Sequence, residues 1–129
     1  MESSSNVERV AAIIVDAAVK VHIALGPGLL ESVYQKCYVH ELRKRGLSVE
    51  TEVALPIHYD GESVESGLRI DMLVEGSIVV ENKSVEKLHP LHEAQLLTYL
   101  RLSGRRIGFL LNWNSVLIKD GIKRMVNGY

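Results

Sequence analysis

The stretch best suited to chemistry runs from Arg69-Ile70-Asp71 through a Glu75-Gly76 turn to Val79-Val80-Glu81-Asn82-Lys83. Residues two apart on a strand share a face, so Glu81 and Lys83 point the same way, and pairing across the hairpin brings Asp71 beside them. Two carboxylates and an ammonium then converge. Carboxylate oxygens are hard ligands suited to Mg2+ or Mn2+, an ion that keeps several waters and leaves room for a phosphate oxygen. A lysine there can orient a water nucleophile or stabilise charge developing at phosphorus, while the ion lowers the water's pKa and acts as a Lewis acid. These are the requirements of phosphodiester hydrolysis. The spacing also fits a cross-strand salt bridge on a solvated sheet face, which hairpins form routinely and at little energetic value. The apolar run Ile78-Val79-Val80 argues for chemistry, because it carries Glu81 and Lys83 toward a sheet interior, where unpaired charge is costly.

Two further stretches carry polar groups at telling intervals. In Gly28-Leu29-Leu30-Glu31-Ser32-Val33-Tyr34, Glu31 and Tyr34 fall on one side of a helix, with Glu31 in its first turn, where the macrodipole favours a carboxylate. Taken alone, simple capping is the better account of Glu31. His92-Glu93-Ala94-Gln95 begins like the zinc-protease HExxH, but Leu96 replaces the second ligand, so that reading is rejected. His22, His40, His58 and His89 lack an evident convergent partner, His92 lies closer to the acidic stretch and within reach of a substrate there, and Trp113 reads as packing at the end of a buried strand.

The elements that must position these groups follow from periodicity. Val7, Val10, Ala11, Ile14, Ala17, Ala18, Val21 and Leu25 make an amphipathic first helix, begun by a Ser5–Glu8 capping box and ended at Gly26-Pro27-Gly28. A second helix is expected over about 30–45, with Gly46 as its left-handed cap. Alternation and β-branched residues then predict three antiparallel strands, about 48–59, 64–74 and 77–83, with turns at Asp60-Gly61 and Glu75-Gly76 and a bulge or edge at Pro56. Pro90 opens a third helix, about 91–103, ended at Gly104. Ile107 to Leu111 is short enough for a buried strand, and Val116 to Lys119 starts a further hairpin arm through Asp120-Gly121. The order ααβββαββ implies an α/β three-layer sandwich, a mixed β-sheet flanked by helices, in one domain over residues 1–129.

At this point the sequence resembles the GxxExxY proteins, a family placed in the PD-(D/E)XK nuclease superfamily. Gly28, Glu31 and Tyr34 reproduce that family's signature, and Asp71, Glu81-Asn82-Lys83 and Gln95 through Tyr99-Leu100 follow in the family's order, so the resemblance spans about Val10 to Met125. It implies a restriction-endonuclease-like core, with Asp71 and Glu81 as metal ligands, Lys83 as the catalytic lysine, Glu31 as an additional metal-site carboxylate from the preceding helix, and Gln95 as a polar residue sent toward the site by the following one. Asn82 occupies a position often apolar in such proteins, and its backbone carbonyl is the group expected to matter. The activity implied is a nuclease dependent on Mg2+ (or Mn2+), with a nucleic acid as partner, DNA ahead of RNA. The alternative is a non-catalytic nucleic-acid-binding or protein-interaction module that keeps the fold.

The chain has 129 residues and 14.4 kDa, with 47% hydrophobic and 24% charged residues, which excludes a disordered or collagen-like chain. Its lone cysteine, Cys37, reads as a small core residue in a reducing compartment. With no secretion signal and no apolar run of membrane length, a cytoplasmic location away from membranes is expected. The net charge of -1 conceals an uneven distribution. From residue 94 onward Arg101, Arg105, Arg106, Lys119, Lys123 and Arg124 stand against Asp120 alone, a net +5 that leaves -6 for the first 93 residues. Those six residues are candidates for holding substrate phosphates. A homodimer would place two active sites on two strands, since one small domain with one site cuts one strand at a time.

Overall fold

The computed structural model describes residues 4–128, with side chains placed from Asn6 onward. Helix α1 spans Ser4–Leu25 and α2 Glu31–Lys44. Strands β1 (Val49–Ala54), β4 (Arg69–Val74), β5 (Ile78–Lys83), β6 (Ile107–Asn112) and β7 (Ile122–Val126) form one mixed sheet in the order β1-β4-β5-β6-β7. Strands β2 (Ile57–Tyr59) and β3 (Glu62–Val64) form a separate hairpin, and α3 (Pro90–Ser103) carries the chain from β5 to its parallel neighbour β6. Without the small hairpin and a single 3-10 turn, the order is ααβββαββ, the one expected. The helices form the outer layers: α1 and α2 cover one face of the sheet and α3 the other. None of the described helices is long and apolar enough to cross a membrane.

The faces follow from the periodicity. Val10, Ala11, Ile14, Ala17, Ala18 and Val21 of α1 are all buried and pack with Tyr34, Tyr38 and Leu42 of α2 against Met72, Val74, Ile78, Val80, Phe109 and Leu111. Cys37 is half-buried against this core. On the other face Leu96, Tyr99 and Leu100 of α3 meet Leu73, Val79 and Leu110. Gly108 lets α3 approach closely, since a Cβ there would stand 2.9 Å from Leu96 Cδ1.

The structure departs from expectation in three places. The expected strand 48–59 is cut at Leu55-Pro56, and 64–74 is correspondingly cut into β3 and β4. Proline offers no N–H to a ladder, so the sheet ends beside it and the remainder becomes the β2–β3 hairpin around Asp60-Gly61. Residues 116–119 are not a hairpin arm. Ile118–Gly121 forms the 3-10 turn, with Ile118 3% exposed in the core, and the strand starts only at Ile122. The Ser5 side chain, expected to cap α1 with Glu8, lies outside the described residues.

The third departure bears on the site. Val49, Met72 and Val74 face α1 and α2, whereas Val53, Leu55 and Ile70 face α3. Alternation along β1 and β4 therefore slips between the pairs Thr51–Met72 and Val53–Ile70, at the facing residues Glu52 and Asp71. Glu52 makes the slip on β1 by adopting a left-handed backbone, φ 51°.

Candidate functional site

Where the faces exchange, β4 and β5 part. Their ladder ends at the pair Met72–Val80, and the next backbone amides find carboxylates instead of carbonyls. Glu81 Oε2 accepts from the Asp71 amide at 2.8 Å, and Asp71 Oδ2 accepts from the Asn82 amide at 2.8 Å. This reciprocal clamp fixes both side chains at the opening and leaves each carboxylate a second oxygen for another partner. Glu81 is 5% exposed and Asp71 half-buried. Burial pushes both groups well above the usual carboxylate range. Each also repels the other or a further acid: Asp71 feels Glu31 and Glu52, and Glu81 feels Asp71. The two amide bonds and the Lys83 ammonium act in the opposite direction, more weakly than burial.

Lys83 ends β5 on the same side as Glu81, near enough to favour the charged form of both carboxylates. Its main chain is held by the Trp113 amide, which donates to the Lys83 carbonyl at 2.9 Å. The following segment is tied by Asn112, whose side chain donates to the Val85 carbonyl and accepts the Val85 amide, at 2.9 and 3.1 Å.

The Gly28–Glu31–Tyr34 stretch works as a support. Tyr34 is fully buried, stacks on Trp113 with ring centroids 5.1 Å apart, and donates its hydroxyl proton to the Gly26 carbonyl while accepting the Leu29 amide. The turn before α2 is thereby fixed, with Gly28 at φ 97°, a conformation that disfavours a side chain. Ser84 ties the same turn to the end of β5 by donating to the Leu29 carbonyl at 2.8 Å. Glu31 is then the first residue of α2, exposed, and acts on Asp71 through space. On α3, Gln95 donates to the Tyr99 hydroxyl at 3.1 Å, and Tyr99 itself is pushed up by burial and by the negative charge of Glu81 and Asp71. Gln95 thus reaches the site through Tyr99. His92 feels the charges of both Lys83 and Glu31, and burial lowers its pKa; its Nδ1 accepts the His89 amide at 3.1 Å, leaving Nε2 to carry the proton of the neutral ring.

Besides Ser84 and Asn112, a chain of polar groups escaped the sequence reading. Asn82, expected to matter through its carbonyl, is wholly buried: its amide nitrogen donates to Gln35 Oε1 at 3.2 Å, and its oxygen accepts Trp113 Nε1 at 2.9 Å. Gln35 in turn donates to Glu52 Oε1 at 3.0 Å and approaches the Asp71 carbonyl at 3.4 Å. A polar chain therefore runs from the core tryptophan to both strands of the opening. The only sequence signal for it was an asparagine at a position often apolar in proteins the chain resembles.

The donor set fits a hard divalent ion. Asp71 and Glu81 supply oxygen alone, in a buried position whose electrostatics favour added positive charge. Among the described residues no three His, Cys, Asp or Glu side chains are close enough to share one ion, so water would complete the coordination. The C-terminal basic residues are spread over the fold, with Lys123 opposite Leu110, itself the neighbour of Glu81. Arg105 donates to the Gly76 carbonyl, at the end of β5 remote from Lys83, with Arg101 and Arg106 on either side of it in sequence. Lys123 pairs with Glu93 at 3.7 Å, Arg124 with Glu8 at 2.6 Å, and Lys119 is exposed on the 3-10 turn. Compared with known proteins, the chain matches the model of the PD-(D/E)XK nuclease superfamily over residues 8–125. No curated protein and no solved structure matches it.

Proposed function

The chain belongs to the PD-(D/E)XK nuclease superfamily, and from that premise we propose that it hydrolyses phosphodiester bonds of nucleic acid, DNA ahead of RNA, with Mg2+ or Mn2+ held by Asp71 and Glu81. The observation that carries this reading is the reciprocal clamp: a buried and a half-buried carboxylate, both of raised proton affinity, each holding the other's strand, with a lysine alongside. Two like charges in such a place need a proton or a cation between them, and a hard divalent ion satisfies the oxygen donors. When bound, the ion lowers the pKa of a water and offsets charge on the phosphate.

The protein's own groups do the rest. Asp71 and Glu81 each keep one oxygen on a backbone amide, so their free oxygens are aimed before substrate arrives. The Lys83 ammonium donates to the attacking water or to a non-bridging phosphate oxygen, where it stabilises charge that grows in the transition state. Glu31 raises the negative potential at the mouth and so favours a cation there. Gln95 holds the Tyr99 hydroxyl, which faces the carboxylates.

A crystal soaked in Mn2+ tests the metal assignment. Anomalous density is expected between Asp71 and Glu81 and is expected to vanish in Asp71→Asn. Density elsewhere, or none at millimolar Mn2+, contradicts it.

A further inference from the structure

A groove of about 870 Å3 runs between α2 and β1 and opens onto the site, with Glu31, Glu52 and Asp71 at one end and Lys36, His40 and Arg43 along the rest. The three basic-type residues recur at intervals of four and three, so they form one stripe on α2. Arg43 is fixed at the far end by donating to the Val49 carbonyl at 2.6 Å, and Gln35 at the near end by Glu52. The charges are also uncommitted. Lys20 and Arg45 are taken up by Glu41, and Lys123 and Arg124 by Glu93 and Glu8, whereas neither Lys36 nor Arg43 enters an ion pair among the described residues.

We propose that this groove is the track of one nucleic-acid strand, whose phosphodiester backbone lies over Arg43, His40 and Lys36 and delivers a phosphate to Asp71 and Glu81. The proposal rests on the nuclease reading and adds where substrate binds. Polarity supports it. The basic stretch attracts phosphates, while the acidic end accepts one only with a cation present, so the strand is drawn along the groove toward the ion. Length supports it too: from Glu31 to Arg43 the helix rises about 18 Å, enough for the groove to contact several successive nucleotides of one strand. The walls, one helix and one edge strand, suit a single backbone.

The test compares the parent with Lys36→Glu, an exposed position, and with Arg9→Glu on α1 as a control for charge, using a fluorescein-labelled 15-nucleotide single strand. In Mg2+, Lys36→Glu is expected to raise KM about tenfold, leave kcat within threefold, and flatten the salt dependence of kcat/KM by about 0.7 in log–log slope. Arg9→Glu is expected to match the parent. Parent-like KM and salt slope in Lys36→Glu overturn the groove and leave the nuclease reading standing. If the parent does not hydrolyse this strand, the nuclease reading is decided by cleavage of other DNA and RNA, and anisotropy in EDTA decides the groove separately. Weaker binding by Lys36→Glu than by the parent upholds it, and equal binding or none overturns it.

Discussion

Asp71 and Glu81 are held in a way that makes them depend on what sits between them. Both are pushed up by burial and by neighbouring acids, so the native state retains protons that the unfolded chain releases above the ordinary carboxylate value of about 4. Their contribution to stability is therefore fully present below that value and is lost as pH rises through the raised native values, at up to about 1.4 kcal/mol per pH unit for each proton. Melting in EDTA between pH 5 and 8 should show the fall, Glu81→Gln should reduce it, and Mg2+ should restore stability at pH 8 by binding the charged pair. A parallel prediction concerns Asn82. Asn82→Ala leaves the Trp113 indole N–H and the Gln35 carbonyl without their partner, and should cost about 3 kcal/mol in urea unfolding. Asp71, Glu81 and Lys83 were legible in the sequence because strand periodicity puts the last two on one face, the Glu75-Gly76 turn brings Asp71 across, and the order of motifs resembles that of a nuclease family. The Asn82 side chain was not, because its partners lie 47 positions earlier and 31 later in the chain.

The helices and strands place these residues through two local devices. Glu52 breaks the alternation of β1 opposite Asp71 by taking a left-handed conformation, which costs an ordinary residue about 1–2 kcal/mol. Glu52→Gly should therefore be neutral or slightly stabilising, since relief of strain is offset by about 0.5–1 kcal/mol of backbone entropy. Glu52→Val should be destabilising by more than 1 kcal/mol, because a β-branched residue resists that conformation. Thermal melts of the two variants separate these outcomes. The second device is the close seating of α3 on β6. Gly108→Ala would press on Leu96 Cδ1 at 2.9 Å and Leu100 Cδ2 at 3.2 Å, and should cost about 1–3 kcal/mol by chemical denaturation. The helices and the order of elements along the chain were readable from periods of 3.6 and 2 and from Gly and Pro punctuation. The slip at Glu52 was not, because glutamate carries no signal for a left-handed backbone, and neither was the 3-10 turn, which is set by Ile118 entering the core.

At the scale of the molecule, a nearly neutral chain is reconciled with a polyanionic substrate by where its charge lies. The acids gather at the opening of the sheet, and uncommitted cations line the α2 groove, while two of the C-terminal basic residues are engaged with Glu93 and Glu8. The total of -1 reports none of this. Binding should accordingly be local and salt-sensitive, and stronger with a divalent ion present. The central claim is metal-dependent hydrolysis at Asp71, Glu81 and Lys83. Its most direct test is cleavage of labelled DNA and RNA by matched preparations of the parent and Lys83→Ala, with Mg2+ and with EDTA, after equal melting temperatures have been established. The account predicts cleavage by the parent in Mg2+ alone and a loss of at least about 100-fold in Lys83→Ala. Equal cleavage by the two proteins, or none by the parent on either nucleic acid, would contradict it.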